Sequence, residues 1–307
     1  MIDPREVTEQ LVTVRDYLRW GTSVMSEQGV FFGHGTDNAW DECLALLQGA
    51  LHWPQALDAA VLDSRLLPAE RARVVAFVLQ RVEQRLPLPY ITGRAWFAGL
   101  PFKVDRRAIV PRSPLAELIE QGMQPWYGGP QPPRVLDLCA GSGCIGIAAA
   151  VWLPGSVVDL VDIDPEVLAL AEENIALHGV GDRVRPIVSD LFEALTPGQD
   201  CYDLILSNPP YVDARDLAEL PPEFRHEPML ALAAGEDGLD CARRILRGAV
   251  DYLAEDGVLV LEVGNSAPAL EDAFPDLAFT WVELERGGEG VMVATAAELR
   301  LWRDSFR

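Results

Sequence analysis

From residue 134 onward, short runs rich in Val, Ile and Leu alternate with segments of helix length, and no other feature narrows the fold as far. Runs at 134–138, 157–162, 183–188, 203–207 and 258–263 read as strands, with helices expected near 145–153, 165–178 and 238–254. Strands joined through helices pair in parallel, and a parallel sheet is covered on both faces. Two last runs, 279–284 and 291–294, have no helix-length segment between them, so they are expected to pair antiparallel. The chain is therefore expected to be α/β, with this sheet occupying residues 125–307.

The N-terminal part is patterned differently. Residues 1–88 read as a helical unit. Asn38 can cap a helix with Asp41 and Glu42 in its first turn, and Trp40, Leu44, Leu47 and Leu51 fall at helical spacing. A second helix follows Pro68, with Val74, Phe77, Val78, Val82 and Leu86 as its apolar side; Pro87 and Pro89 end it. Residues 89–124 read as a connector: strand-like runs at 90–97 and 100–104 about Ala98-Gly99, a loop, and a short helix presenting Leu115, Leu118 and Ile119. The Pro- and Gly-rich stretch 124–133 reads as a linker.

Composition bounds the function. Of 25 basic and 47 acidic side chains, residues 1–110 hold 12 and 13, so the remainder holds 13 and 34 and carries −21 of the −22 total. Such a domain repels a phosphate backbone, so no direct nucleic-acid binding is expected. The charge suits solubility, or the attraction of a basic protein partner. No stretch approaches the roughly 18 apolar residues of a membrane span. Asp3, Arg5, Glu6, Glu9, Arg15, Asp16 and Arg19 do not fit a secretory signal. Cys43, Cys139, Cys144, Cys201 and Cys241 form no C-x-x-C pair, and the four histidines are dispersed. Neither a disulfide framework nor a metal site is expected, and the expected location is the cytoplasm.

Val135 to Gly146 leads from strand to helix through Gly141, Gly143 and Gly146. This G-x-G-x-x-G spacing lets backbone approach a ligand at a helix N-terminus, and alone it is compatible with a dinucleotide. Asp137 inside the strand suits an ammonium group better than a pyrophosphate, and the turn holds no basic residue. Both features favour S-adenosylmethionine. Asp162, 21 residues after Gly141, ends the next strand, where a carboxylate accepts both hydroxyls of a ribose. Asp164 reads as the cap of the helix opened by Pro165. Asp190 stands where an adenine edge would be met, or caps a helix.

After the fourth strand come Asn208-Pro209-Pro210-Tyr211. In isolation this is a turn. Its place at a carboxyl edge beside the glycine turn puts it where open α/β sheets bind ligands. The two prolines donate no hydrogen bonds, so their carbonyls stand as acceptors. A planar NH2 group fits between the Asn208 side-chain oxygen and the Pro209 carbonyl, with Tyr211 against its plane. Acceptors aimed at both N–H groups bind more tightly as positive charge develops on a nitrogen being methylated. No strong base is needed, because a methylated amide loses its proton to water.

The glycine turn, Asp162 and Asn208-Pro209-Pro210-Tyr211, in this order, resemble class I S-adenosylmethionine-dependent methyltransferases that modify a planar NH2. The helical N-terminal unit and hairpin resemble the protein N5-glutamine methyltransferases, which act on release factors or a ribosomal protein. Three segments favour the branch acting on the basic large-subunit ribosomal protein L-three: Phe32 to Glu42; Ala95 to Phe97 with Val110-Pro111-Arg112-Ser113-Pro114; and Phe224 to Pro228 with Asp237-Gly238-Leu239. The likeness implies a Rossmann-like seven-stranded sheet with a helical recognition domain. It implies Asn208, Pro209, Pro210 and Tyr211 as the amide clamp. It also implies a cofactor pocket of Asp137, Cys139, Ala140, Gly141, Ser142, Gly143, Asp162, Ile163, Asp190 and Leu191. Release-factor enzymes often carry Trp where this chain has Leu191. Arg112 and the 34–42 segment are open to either domain packing or substrate contact. Rival expectations are a release-factor enzyme, an adenine amino-methyltransferase, a cofactor-binding scaffold and a nicotinamide dehydrogenase.

Overall fold

The structure, a computed structural model, describes residues 3–53, 58–129 and 131–306. Pro130 of the 124–133 stretch, residues 1, 2 and 54–57 of the helical unit, and residue 307 lie outside them. Contacts divide the chain into two compact units, Met1–Arg94 with Pro221–His226, and Ala95–Leu220 with Glu227–Arg307.

The first unit is built on helices Pro4–Gln10, Val14–Glu27, Ala39–Leu51 and Pro68–Glu83. Thr13 and Asp16 form a reciprocal capping box at the second, with Asp16 accepting the Thr13 N–H at 2.8 Å. Asn38 caps the third as its sequence predicts, and Leu47 and Leu51 of the expected face are buried, but the face is centred elsewhere. Cys43, Leu46, Leu47 and Ala50 are buried, whereas Trp40 is 47% exposed and Leu44 only partly covered. Small residues decide this face: a side chain at Gly21 would overlap the Cys43 sulfur, so the two helices approach closely along it. Glu42 and Glu223, both buried, share Arg81, which also donates to the Phe31 carbonyl. Phe224 packs against Phe31 and His34, with ring centroids 5.8 and 4.5 Å apart.

Residues 90–97 are not one strand. Leu88–Thr92 is a short helix, since Pro89 suits a first helical turn, and Gly93 ends it in the left-handed region. β1 (Arg94–Phe97) and β2 (Leu100–Lys103) then form the hairpin, with Ala98 and Gly99 both at positive φ.

In the second unit, seven strands form one sheet: β3 (Arg134–Leu138), β4 (Val157–Asp162), β5 (Val184–Val188), β6 (Tyr202–Ser207), β7 (Leu253–Glu262), β8 (Thr280–Trp281) and β9 (Val291–Thr295). Their order is β5-β4-β3-β6-β7-β9-β8, parallel from β5 through β7 and antiparallel about β9. The expected helix at 238–254 is shorter. It spans Asp240–Gly248, a 3-10 turn follows, and β7 begins at Leu253, five residues before its apolar run. The expected strand at 279–284 shrinks to β8, which pairs antiparallel with β9 as expected and is continued by a single Val282 N–H to Val291 carbonyl bond of 2.9 Å.

Helices Cys144–Trp152 and Pro165–His178 supply one core layer, with Ile147, Ala149, Leu168 and Ala171. Helices Asp240–Gly248 and Ala296–Trp302 supply the other, with Ile245, Leu246, Leu299 and Trp302. Strand order reverses between β3 and β6, so a crevice opens at their carboxyl ends.

Candidate active site

β3 ends in a turn that the local sequence can make only with small residues. Gly141 and Gly143 have φ of 56° and 78°, and Gly143 precedes the helix Cys144–Trp152. Gly146 faces β4: a Cβ there would overlap Leu160 and sit 3.0 Å from both Val158 and the Asp137 carboxylate. The turn is tied to β4 by the Ala140 N–H on the Val161 carbonyl at 3.0 Å. The Gly141 N–H also donates to Asp162 Oδ2 at 2.9 Å. From the other side, the buried Asn174 donates to the Ser142 carbonyl at 2.9 Å and to the Lys103 carbonyl at 3.1 Å, docking the hairpin onto the turn.

These elements surround a cleft of about 200 Å³. Of the residues expected to hold a cofactor, Cys139, Gly141, Asp162, Ile163, Asp190 and Leu191 line it, and Asn208 and Pro210 of the proline corner join them. Cys139 and Leu191 are both non-glycine residues at positive φ, 60° and 51°, an unfavoured backbone at two cleft positions. Ala140, Ser142 and Gly143 shape the turn without lining the cleft.

Asp137 stands apart from the expected ammonium contact. It is fully buried, its Oδ2 accepts the Gly146 N–H at 2.8 Å, and its Oδ1 has no partner among the described residues. Burial pushes its carboxyl up to about 8, only partly offset by that N–H. Asp162 meets a different environment. Burial raises its pKa, while the N–H groups of Asp164, at 3.0 Å, and Gly141 pull it back. Asp164 does cap the next helix, accepting the Glu166 N–H at 2.9 Å, and it lines the cleft as well. Asp190 is paired with Arg244 at 2.9 Å.

The corner 208–211 leaves the sheet beside this cleft. Ser207 Oγ donates to the Leu138 carbonyl at 2.8 Å, fixing the end of β6 against the end of β3. Val212 exchanges backbone hydrogen bonds with Leu232 and Ala234 at 2.9 and 3.0 Å, fixing the far side. Among the described residues no hydrogen bond engages the Asn208 carboxamide or the Pro209 carbonyl. Tyr211 does not line the cleft; its hydroxyl donates to Glu262 Oε1 at 3.2 Å.

Residues 128–221 match the family described as Methyltransferase small domain. Two curated relatives carry the name "Ribosomal protein uL3 glutamine methyltransferase". That of Francisella tularensis subsp. tularensis is 47% identical, over 99% of this chain and 96% of its own. That of Bordetella pertussis is 46% identical, over 95% of this chain and 97% of its own. The chain belongs to the uL3 glutamine methyltransferase family. Its sheet is that of a class I S-adenosylmethionine-dependent methyltransferase. The solved hMettl16 catalytic domain in complex with MAT2A 3'UTR hairpin 6 shares the fold at a TM-score of 0.51 and 15% identity, over 81% of this chain and 91% of that one.

In this methyltransferase the cleft also holds residues that sequence spacing did not suggest: Arg107, Arg244, Cys241 and Leu230. Only the fold brings them there, because they lie on the post-hairpin loop, the helix Asp240–Gly248 and the segment before it. Arg107 is engaged by Asp105 at 2.7 Å and Glu173 at 3.0 Å. Arg112, left open between packing and substrate contact, pairs within its own unit: its guanidinium grips both Glu227 oxygens at 2.6 and 2.9 Å. Glu227 also accepts the Val110 N–H at 2.9 Å, so the 110–114 and 227–228 segments are joined by one carboxylate. No group of residues with metal-holding geometry occurs among the described residues. Among the described residues no helix is long and apolar enough to cross a membrane.

Proposed function

We propose that this chain transfers a methyl group from S-adenosylmethionine to the side-chain amide nitrogen of a glutamine in ribosomal protein uL3. One observation carries the reading: Asn208 and Pro210 of the proline corner line the same cleft as Gly141 of the glycine turn, at the switch point of the sheet. The residues fit the cofactor. A Cβ at Gly141 would meet nothing within 4 Å, so the backbone there is open to a ligand. Asp162 lines the cleft with a carboxylate that suits a ribose diol, and Asp190 with Leu191 stands where the base would lie. Asp137 acts from beneath, holding the first turn of the helix against the sheet.

When bound, S-adenosylmethionine supplies an electrophilic methyl on a sulfonium, and transfer leaves a neutral thioether. The chain's own residues do the rest by positioning. Asn208 Oδ1 and the Pro209 carbonyl accept the two N–H groups of the glutamine amide, which fixes its plane and turns the nitrogen's π face toward the methyl. As positive charge grows on that nitrogen, both acceptors bind it more tightly, so the gain falls on the transition state. The methylated nitrogen then loses one N–H proton to water, which restores a neutral amide.

The helical unit is assigned to recognition of the protein substrate, with the acidic catalytic unit attracting a basic partner rather than nucleic acid. A ribosomal-protein substrate puts the reaction in the cytoplasm. The test is transfer of labelled methyl to purified uL3, in competition with a release factor, followed by mass spectrometry of the labelled glutamine. Label on uL3 glutamine is expected; label on the release factor alone, or on neither, refutes the assignment. Salt-sensitive DNA binding, measured alongside, would revive the adenine reading.

A further inference from the structure

We propose that Glu262 is a positioning residue for methyl transfer, holding Tyr211 and through it the amide-binding corner; the inference rests on the reading of that corner given above. Tyr211 closes the corner and is held from several directions. Its hydroxyl donates to Glu262 Oε1 at 3.2 Å, and its carbonyl accepts from Ser266 Oγ at 2.7 Å. Its ring lies over Gly264, where a Cβ would come to 2.5 Å from the ring edge. Gly238 abuts its carbonyl so closely that a Cβ would overlap it.

Glu262 is the hub of this arrangement. It is the last residue of β7, one position after Leu261, which pairs with Ser207 at the entry to the corner. It is buried, and its second oxygen accepts the hydroxyl of Ser113. Ser113 in turn accepts the Leu115 N–H at 3.2 Å, so one carboxylate ties the 110–114 loop to the corner. Burial raises its pKa, and Ser113, Tyr211 and Arg112 pull it back down.

Val260, two positions earlier on the same face of β7, is apolar and fully buried, so packing alone would be met by another apolar side chain at 262. A buried carboxylate is expensive unless its hydrogen bonds are needed. Here it supplies a fixed acceptor for two hydroxyls that otherwise rotate freely, and that sets where the Tyr211 ring stands. Orientation of a group at the reacting edge is worth rate without changing cofactor affinity.

A double-mutant cycle reads this directly. Wild type, Glu262→Gln, Tyr211→Phe and the double variant are assayed for kcat on uL3 at saturating S-adenosylmethionine, with cofactor Kd measured by titration. Each single change is expected to lower kcat about tenfold, the effect of one hydrogen bond to a charged acceptor. Cofactor Kd should stay within about twofold. The double variant should be no slower than the slower single, because both remove the same interaction. Losses that multiply to about a hundredfold would overturn the proposal, as would an unchanged kcat in Glu262→Gln. If Glu262→Gln does not fold, Tyr211→Phe decides: it deletes only the hydroxyl, and an unchanged kcat refutes the role. A wild-type chain inactive on uL3 refutes the proposed function and this inference together, whereas multiplicative losses on an active wild type refute Glu262 alone.

Discussion

Replacing Asp162 with Ala removes the carboxylate that both braces the glycine turn and faces the cleft. In the wild type, Oδ2 accepts the Gly141 N–H at 2.9 Å and Oδ1 the Asp164 N–H at 3.0 Å, and the carboxylate lines the cleft where a ribose diol would lie. Two hydrogen bonds to a charged acceptor contribute roughly 1.5–3 kcal/mol each. Water entering the vacated space recovers part of that, so the lower limit applies: about 3 kcal/mol, or roughly a hundredfold in cofactor Kd. Asp162→Asn keeps one acceptor and should fall near tenfold. Titration calorimetry with S-adenosylmethionine and S-adenosylhomocysteine in parallel separates two causes, since both carry the ribose and only the first carries the sulfonium charge. Equal losses for the two are expected. An unchanged Kd, or a loss confined to S-adenosylmethionine, would refute the ribose assignment, the second outcome making Asp162 a partner of the sulfonium.

Asn208→Ala should lower the single-turnover transfer rate by roughly 10²–10³ while leaving cofactor Kd nearly unchanged, as for the loss of one preorganised transition-state group; equal losses in both would contradict its role. Asp137→Asn tests the buried carboxyl. With its folded pKa raised to about 8, the wild type's stability falls as pH rises from about 4 toward 8, because the unfolded chain has already lost the proton the native one retains. Asn does not titrate, so between pH 5 and 8 the urea-denaturation difference should move in the variant's favour by up to roughly 1.4 kcal/mol per pH unit; a pH-independent difference would refute the assignment. Gly146→Ala forces a Cβ against Leu160 and should destabilise by about 1–3 kcal/mol, read as a lowered thermal midpoint.

The parallel strands were legible because the sheet is buried on both faces, which forces continuous apolar runs: 134–138 and 157–162 coincide with β3 and β4 to the residue. Where one face is solvated or small residues do the packing, the pattern misleads. Trp40 looked like a core residue and is half exposed, because the helix turns its Cys43 and Ala50 side inward. Residues 90–92 looked extended, and the proline-initiated turn made them helical. At the site, residues next to a turn or strand end could be placed from spacing, as Gly141, Asp162 and Asn208 were. Arg107, Arg244 and Glu262 could not, since each reaches its place from an element distant in sequence.

Four acidic residues near the carboxyl edge look alike in the sequence, and the structure gives them different work. Asp137 is sealed beneath the turn with its carboxyl pushed toward neutrality. Asp190 faces the cleft but is matched by Arg244, and the other cleft cation, Arg107, is matched by Asp105 and Glu173. Asp162 and Asp164 also line the cleft, and among the described residues their carboxylates meet backbone N–H groups rather than cations. The balance of charge facing a ligand is therefore negative. A pyrophosphate entering there would meet carboxylates with both arginines already engaged, whereas a sulfonium and an ammonium would meet complementary charge. The same glycine spacing that permits a dinucleotide thus stands in a cleft whose electrostatics support a cationic one-carbon donor instead. Asp164→Asn, which removes one of these charges without touching the proposed ribose contact, should weaken S-adenosylmethionine more than S-adenosylhomocysteine; equal losses would refute the electrostatic argument.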